Sequence, residues 1–197
     1  MNNRRFWIIL GGIIILSVAF LFLNFHAAIS NTHFEKNIST TGMGDGLPDA
    51  MQRRDKISIA LVGESPLAGA LKQALKSEMR SAGIGESELV KGLETRYPNP
   101  VLVVKVGKPG MFWTPFFATS QFSIQVGYAS SGDTTIMGEK PATLDSRNGP
   151  ILSMYGEYKV NDRSWGLISR LGYHQILADY LAQQIVAAVK DLYKVSS

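Results

Sequence analysis

The stretch TSQFSIQVGYAS, residues 119–130, alternates cleanly: Phe122, Ile124, Val126 and Tyr128 share one face, while Ser123, Gln125 and Gly127 share the other. Successive side chains of a strand point to opposite sides, so the pattern describes a sheet with one face buried and one face open. Such a sheet needs a layer of helices to cover its apolar side.

Working outward, VLVVKVG (101–107) and ISIALVG (57–63) are β-rich runs of strand length. After the earlier of the two, Ser65 and Pro66 provide an N-cap and a proline at the first helical position. The helix they open gathers Leu67, Leu71, Ala74, Leu75 and Met79 on one side, and Ala82-Gly83 closes it. Between Gly85 and Pro100 the pattern is ambiguous, with room for a short helix over Glu88–Leu93 before the turn-rich YPNP. Residues 131–149 are rich in turn signals, with room for a short strand at Thr134–Met137. PILSMYGEYKVND (150–162) predicts a further strand with Leu152, Met154, Tyr158 and Val160 on one face. A long closing helix is expected from Ser164 to Tyr193. Its apolar face carries Leu167, Leu171, Leu177, Leu181, Ile185, Val189 and Leu192, with Trp165, Tyr173, Ile176 and Tyr180 as a second stripe. The expected fold is therefore α+β, a small β-α-β-β-β-α domain over 56–197 with two helices packed on a largely antiparallel sheet.

At the N-terminus, Phe6 to Phe25 holds no charge in its 20 residues. A helix of that length spans roughly 30 Å, the thickness of a hydrocarbon core. Arg4 and Arg5 precede it, so the positive-inside tendency puts residues 1–5 in the cytoplasm and the rest of the chain outside. A cleaved signal peptide is the rival reading, with Ala28-Ile29-Ser30 as a small-x-small site. Residues 26–55 are dominated by Asn, Ser, Thr, Gly, Asp and Met and read as a flexible linker. The expected organisation is a cytoplasmic tip (1–5), a transmembrane signal anchor (6–25), that linker and the outer domain, which places the protein at the cell membrane.

The totals exclude several functions. Of 197 residues, 18% are charged and the formal net charge is +4, with no Lys/Arg-rich block, so no nucleic-acid partner is expected. There is no cysteine, hence no disulfide scaffold, thiol nucleophile or thiolate metal site. The three histidines are scattered, and no metal or cofactor is expected. Gly63-Glu-Ser65-Pro-Leu-Ala-Gly69 lacks the Lys and Ser/Thr of a P-loop, and Asp145-Ser-Arg-Asn148-Gly lacks the acids of a calcium loop. His174 is the one histidine of the outer domain, and no acid or hydroxyl stands at a helical spacing that would make it half of a dyad. No catalytic residue is nominated, and His174 reads as a histidine at the edge of the core.

One stretch stands apart. GMFWTPFF (110–117) packs Phe112, Trp113, Phe116 and Phe117 into eight positions. Pro109-Gly110 before it and Pro115 within it argue for a loop rather than a regular ladder. That loop either folds over an open end of the core, burying rings, or exposes a greasy patch to a partner or the headgroup region. Phe112 and Trp113 are the expected outward pair, since Phe116 and Phe117 run into the next strand. The function expected is a single-pass, membrane-anchored, non-catalytic module that binds a protein partner or helps assemble an envelope or surface complex. An extracytoplasmic hydrolase-like enzyme and a small-ligand sensor are the alternatives.

Overall fold

The structure, a computed structural model, describes residues 3–22, 26–43, 56–84, 86–90, 94–134 and 151–194. Its elements run α1 (Asn3–Phe22), β1 (His26–Met43), β2 (Lys56–Val62), α2 (Pro66–Ser81), β3 (Glu86–Val90), β4 (Val101–Val106), β5 (Gly110–Trp113), β6 (Phe117–Ala129), β7 (Ile151–Ile168) and α3 (Arg170–Lys194). The protein is α+β, with three helices and a mixed seven-stranded sheet among the described residues.

The strand order is β1-β7-β6-β4-β2-β3, with β5 also paired to β6. Strands β2, β3 and β4 are mutually parallel across β2, whereas β4, β5, β6, β7 and β1 pair antiparallel. The alternation of residues 119–130 holds: Phe122, Ile124, Val126 and Tyr128 are buried beneath the helices. They share a core with Ile59 and Leu102 of the neighbouring strands, Leu71 and Met79 of α2, and Leu177, Leu181 and Ile185 of α3. A smaller cluster, Ala60, Tyr97, Val101 and Ala129, lies apart from that core. Helix α2 begins as its sequence dictates, with Ser65 Oγ accepting from Ala68 N at 3.1 Å.

Several expectations change. Residues 26–43, read as flexible linker, form the 18-residue strand β1, paired along its whole length with β7. Its polar composition hides the strand because the partners of its hydroxyls lie far away in sequence. Residues 44–55, the rest of the expected linker, lie outside the described residues. Of the short helix considered over Glu88–Leu93, residues 88–90 instead belong to β3, which joins β2 in parallel after α2, and residues 91–93 lie outside the described residues. The strand of 150–162 extends to Ile168, so the last helix starts at Arg170 and not at Ser164. Ser169 terminates the strand and caps the helix, its Oγ accepting from Gly172 N at 3.0 Å.

Helix α1 carries the N-terminal apolar run, with Ile8, Ile9, Ile13, Ile14 and Ile15 exposed. Its described side chains cover residues 5–15, 17 and 18, and among the described residues no helix is long and apolar enough to cross a membrane. Asn24 and Phe25, the end of the expected span, lie outside the described residues.

Candidate contact surface

The aromatic stretch is not a loop. Gly110–Trp113 forms β5, antiparallel to β6, and Thr114 to Phe117 turn the hairpin. Pro115 sits in that turn, where a missing N–H removes no ladder bond. Thr114 holds the turn: its backbone N donates to Phe117 O at 2.7 Å, and its hydroxyl accepts from Phe117 N at 3.0 Å. The turn is tied to β7 by Gly166 N and Ile168 N, which donate to Phe116 O and Pro115 O.

A strand splits its side chains between faces, and this decides where the rings go. Met111 and Trp113 pack against the core, and Trp113 Nε1 donates to Ile168 O at 3.1 Å. Phe112, opposite Thr119, takes the open face and is 58% exposed. The expected outward pair is thus divided, with Phe112 out and Trp113 in. Phe116, at the turn, is 66% exposed, and Phe117 is half-buried.

Phe117 lies between two other rings. Its centroid is 6.3 Å from that of Phe112 and 4.3 Å from that of Trp165. Trp165, 63% exposed, stands opposite Ile29 of β1, which is 82% exposed. A band Phe112–Phe117–Trp165–Ile29 therefore crosses β5, β6, β7 and β1 on the open face of the sheet. The sequence places Trp165 in a second stripe of the last helix, either a wide core contact or a partner-facing surface, and Ile29 in a linker, so neither is joined to the aromatic stretch. A signal was present: Arg163, Trp165 and Leu167 alternate with Ser164 and Gly166, a period of two rather than 3.6.

Beneath the band, on the core face of the same strands, lies a fully buried carboxylate. Asp162 Oδ1 accepts from Ser30 Oγ at 2.7 Å and Thr32 Oγ1 at 2.6 Å; Oδ2 accepts from Ser164 Oγ at 2.9 Å and the Tyr173 hydroxyl at 2.6 Å. Ser120 Oγ, 3.1 Å from the Tyr173 hydroxyl, completes the group. Burial first, and the bond to Asp162 second, push the Tyr173 hydroxyl well above the usual phenol range, so it remains a donor. The five hydroxyls come from β1, β6, β7 and α3. Asp162 thus clamps the platform that carries the aromatic band.

His174, next to Tyr173, is buried as the sequence reading expects, and its Nδ1 lacks a hydrogen-bond partner among the described residues. Burial, and then the nearby Arg170 charge, hold its imidazole below the usual value of about 6.5. The folded state therefore binds fewer protons than the unfolded state once the pH drops below about 6.5. Stability is full above that pH and declines as the pH falls toward the depressed native value. Thermal unfolding of the wild type should shift down as the pH falls below about 6.5, with a smaller shift in His174→Gln; equal shifts would sink this assignment.

A depression of about 160 Å³ is lined by Val103, Lys105, Gln125 and Tyr155, well along the strands from the aromatic band. Among the described residues no group of three or more His, Cys, Asp or Glu could hold a metal. The Asp145–Asn148 segment lies outside the described residues.

Fold and surface together define a class: an α+β domain whose mixed sheet is packed by helices on one face and carries exposed rings on the other. No protein-family model matches the chain, and neither does any curated protein. Among solved structures it is similar to the PelC dodecamer from Paraburkholderia phytofirmans, at 14% identity and a TM-score of 0.37 over 77% of this chain and 95% of that one. A point variant of that dodecamer gives 15% and 0.36 over the same shares. A minor lipoprotein from Acinetobacter baumannii gives 15% and 0.31 over 69% and 92%. Overlaps of this extent carry no argument about function.

Proposed function

We propose that this chain is a non-catalytic, single-pass membrane-anchored module whose outer domain makes contacts through the aromatic band of its open sheet face. The observation that carries the reading is the clustering of exposed rings on a rigid platform. Large contiguous apolar patches on otherwise polar surfaces mark interaction sites, and aromatics dominate their energetics. Support for the anchor is the charge-free run in α1 behind Arg4 and Arg5, which also favours a cytoplasmic N-terminus and a domain on the far side.

Because the chain has no cysteine, single cysteines report topology cleanly. Gln73→Cys on the exposed side of α2 should react with a membrane-impermeant maleimide in intact cells, and Asn2→Cys only after permeabilisation. The reverse pattern would refute the orientation. Crosslinking in intact membranes should capture the contact partner with wild type and lose most of it in Phe112→Ser/Trp165→Ser. Unchanged capture would remove the band from the reading.

A further inference from the structure

The large exposed apolar residues outside α1 are unevenly placed. Among the described residues, Ile29, Phe112, Phe116, Trp165, Leu167 and Leu171 all lie at one end of the sheet, and only Tyr155 and Tyr180 lie elsewhere. The pairings define that end: His26 opposes Ile168, Phe117 opposes Trp165, and Trp113 opposes Ala118. It is also the end at which the chain arrives from α1. Four residue steps take the chain from Phe22 to His26, a reach of at most about 14 Å. Ile29 lies roughly 10 Å further along β1. Residues 26–43 of the expected linker therefore do not space α1 from the sheet, because they are β1 itself.

Charge is uneven as well. Residues 26–32, 110–120 and 163–172 contain no Asp or Glu, while Arg163 and Arg170 are both exposed there. Asp162, the acid just before this cap, is buried and fully bonded to hydroxyls. A cap of Phe, Trp, Ile and Leu flanked by arginines and without exposed carboxylates has the chemistry of an interfacial anchor. Aromatic rings sit at headgroup depth and arginines pair with phosphates.

We infer that this cap inserts into the headgroup interface of the membrane that α1 enters, with anionic phospholipid as its occupant. The inference rests on the contact-surface reading and names what that surface touches. Insertion at one end fixes the tilt of the domain, and leaves the opposite end, with Lys56 and Arg96, directed away from the bilayer.

The test uses the full chain, labelled with an environment-sensitive fluorophore at Ile29→Cys, Phe116→Cys or Lys56→Cys and reconstituted into phosphatidylcholine/phosphatidylglycerol vesicles. Bromine on the acyl chains quenches only on contact. Emission should be lost at residues 29 and 116 and not at residue 56, as interfacial insertion of one end requires. In the Arg163→Gln/Arg170→Gln background the loss should shrink in vesicles containing phosphatidylglycerol and stay unchanged in pure phosphatidylcholine. No quenching at either cap position would overturn the inference. If the same positions were shielded from aqueous iodide in native membranes, the contact surface would stand with a protein as its occupant. If they were open to iodide there too, both readings would fall. Equal quenching with and without the arginines in anionic vesicles would overturn the anionic-lipid assignment.

Discussion

Asp162→Ala is expected to destabilise the domain by about 2–5 kcal/mol, through loss of the charge-assisted hydrogen bonds that its buried carboxylate accepts. The carboxylate is fully buried, and its oxygens accept from four hydroxyls. Alanine leaves the buried hydroxyls of Ser164 and Tyr173 without that acceptor, at about 1–3 kcal/mol for each that finds no substitute, whereas the exposed Ser30 and half-buried Thr32 can turn to each other and to water. It also releases β1, since Ser30 and Thr32 are the side chains through which that strand reaches Asp162. Asp162→Asn should fall between, because its oxygen still accepts while its amide faces hydroxyls that were donors. Thermal unfolding of the full chain in detergent, followed by circular dichroism, measures the order wild type, Asn, Ala. An alanine variant as stable as wild type would mean that the clamp is dispensable.

Gly166→Val should have a comparable effect, about 2–5 kcal/mol from backbone strain and overpacking together. Gly166 has φ +130°, a region that β-branched residues avoid. A Cβ there would stand 2.5 Å from Ala27 O and 2.6 Å from Ala28 Cα. Those are backbone atoms of β1, so relief requires the strand itself to move away. Hydrogen exchange should show the amides of residues 27–32 losing protection well before those of β6. Uniform protection in the variant would show that the approach of β1 tolerates a side chain. Gly156, further along β7, meets Asn37 O at the same distance and should respond in the same direction.

How far the sequence could be read follows from where each interaction partner lies. The helix from Pro66 to Ser81 carries its own cap, its own apolar stripe and its own stop, so it was legible without any neighbour. Strands β2 and β4 were legible as short β-rich apolar runs, and β6 because Phe122, Ile124, Val126 and Tyr128 put an apolar residue at every second position. β1 was not, because its inward positions are Ala28, Ser30, Thr32, Phe34, Lys36 and Ile38, and such a mixture describes a linker equally well. What makes it a strand is an acid some 130 residues away and two glycines of β7 that let its backbone approach. The second aromatic stripe on the last helix has a similar cause: Tyr180 stacks on Phe34 of β1, with ring centroids 4.5 Å apart.

The candidate site divides in the same manner. The sequence by itself determined that GMFWTPFF is unusual, that the chain lacks thiols and clustered histidines, and that the central sheet buries one face. Composition and period are local properties, and they suffice for such statements. Only the tertiary structure decided that Phe112 faces out while Trp113 faces in, and that Trp165 and Ile29, distant in sequence, extend the band. A strand assigns its residues to faces only once its pairing register is set, and a one-residue slip would reverse every assignment. In this protein the hairpin turn sets the register of β5, but that of β7 and β1 is held by contacts between segments far apart in the chain, which no local pattern encodes.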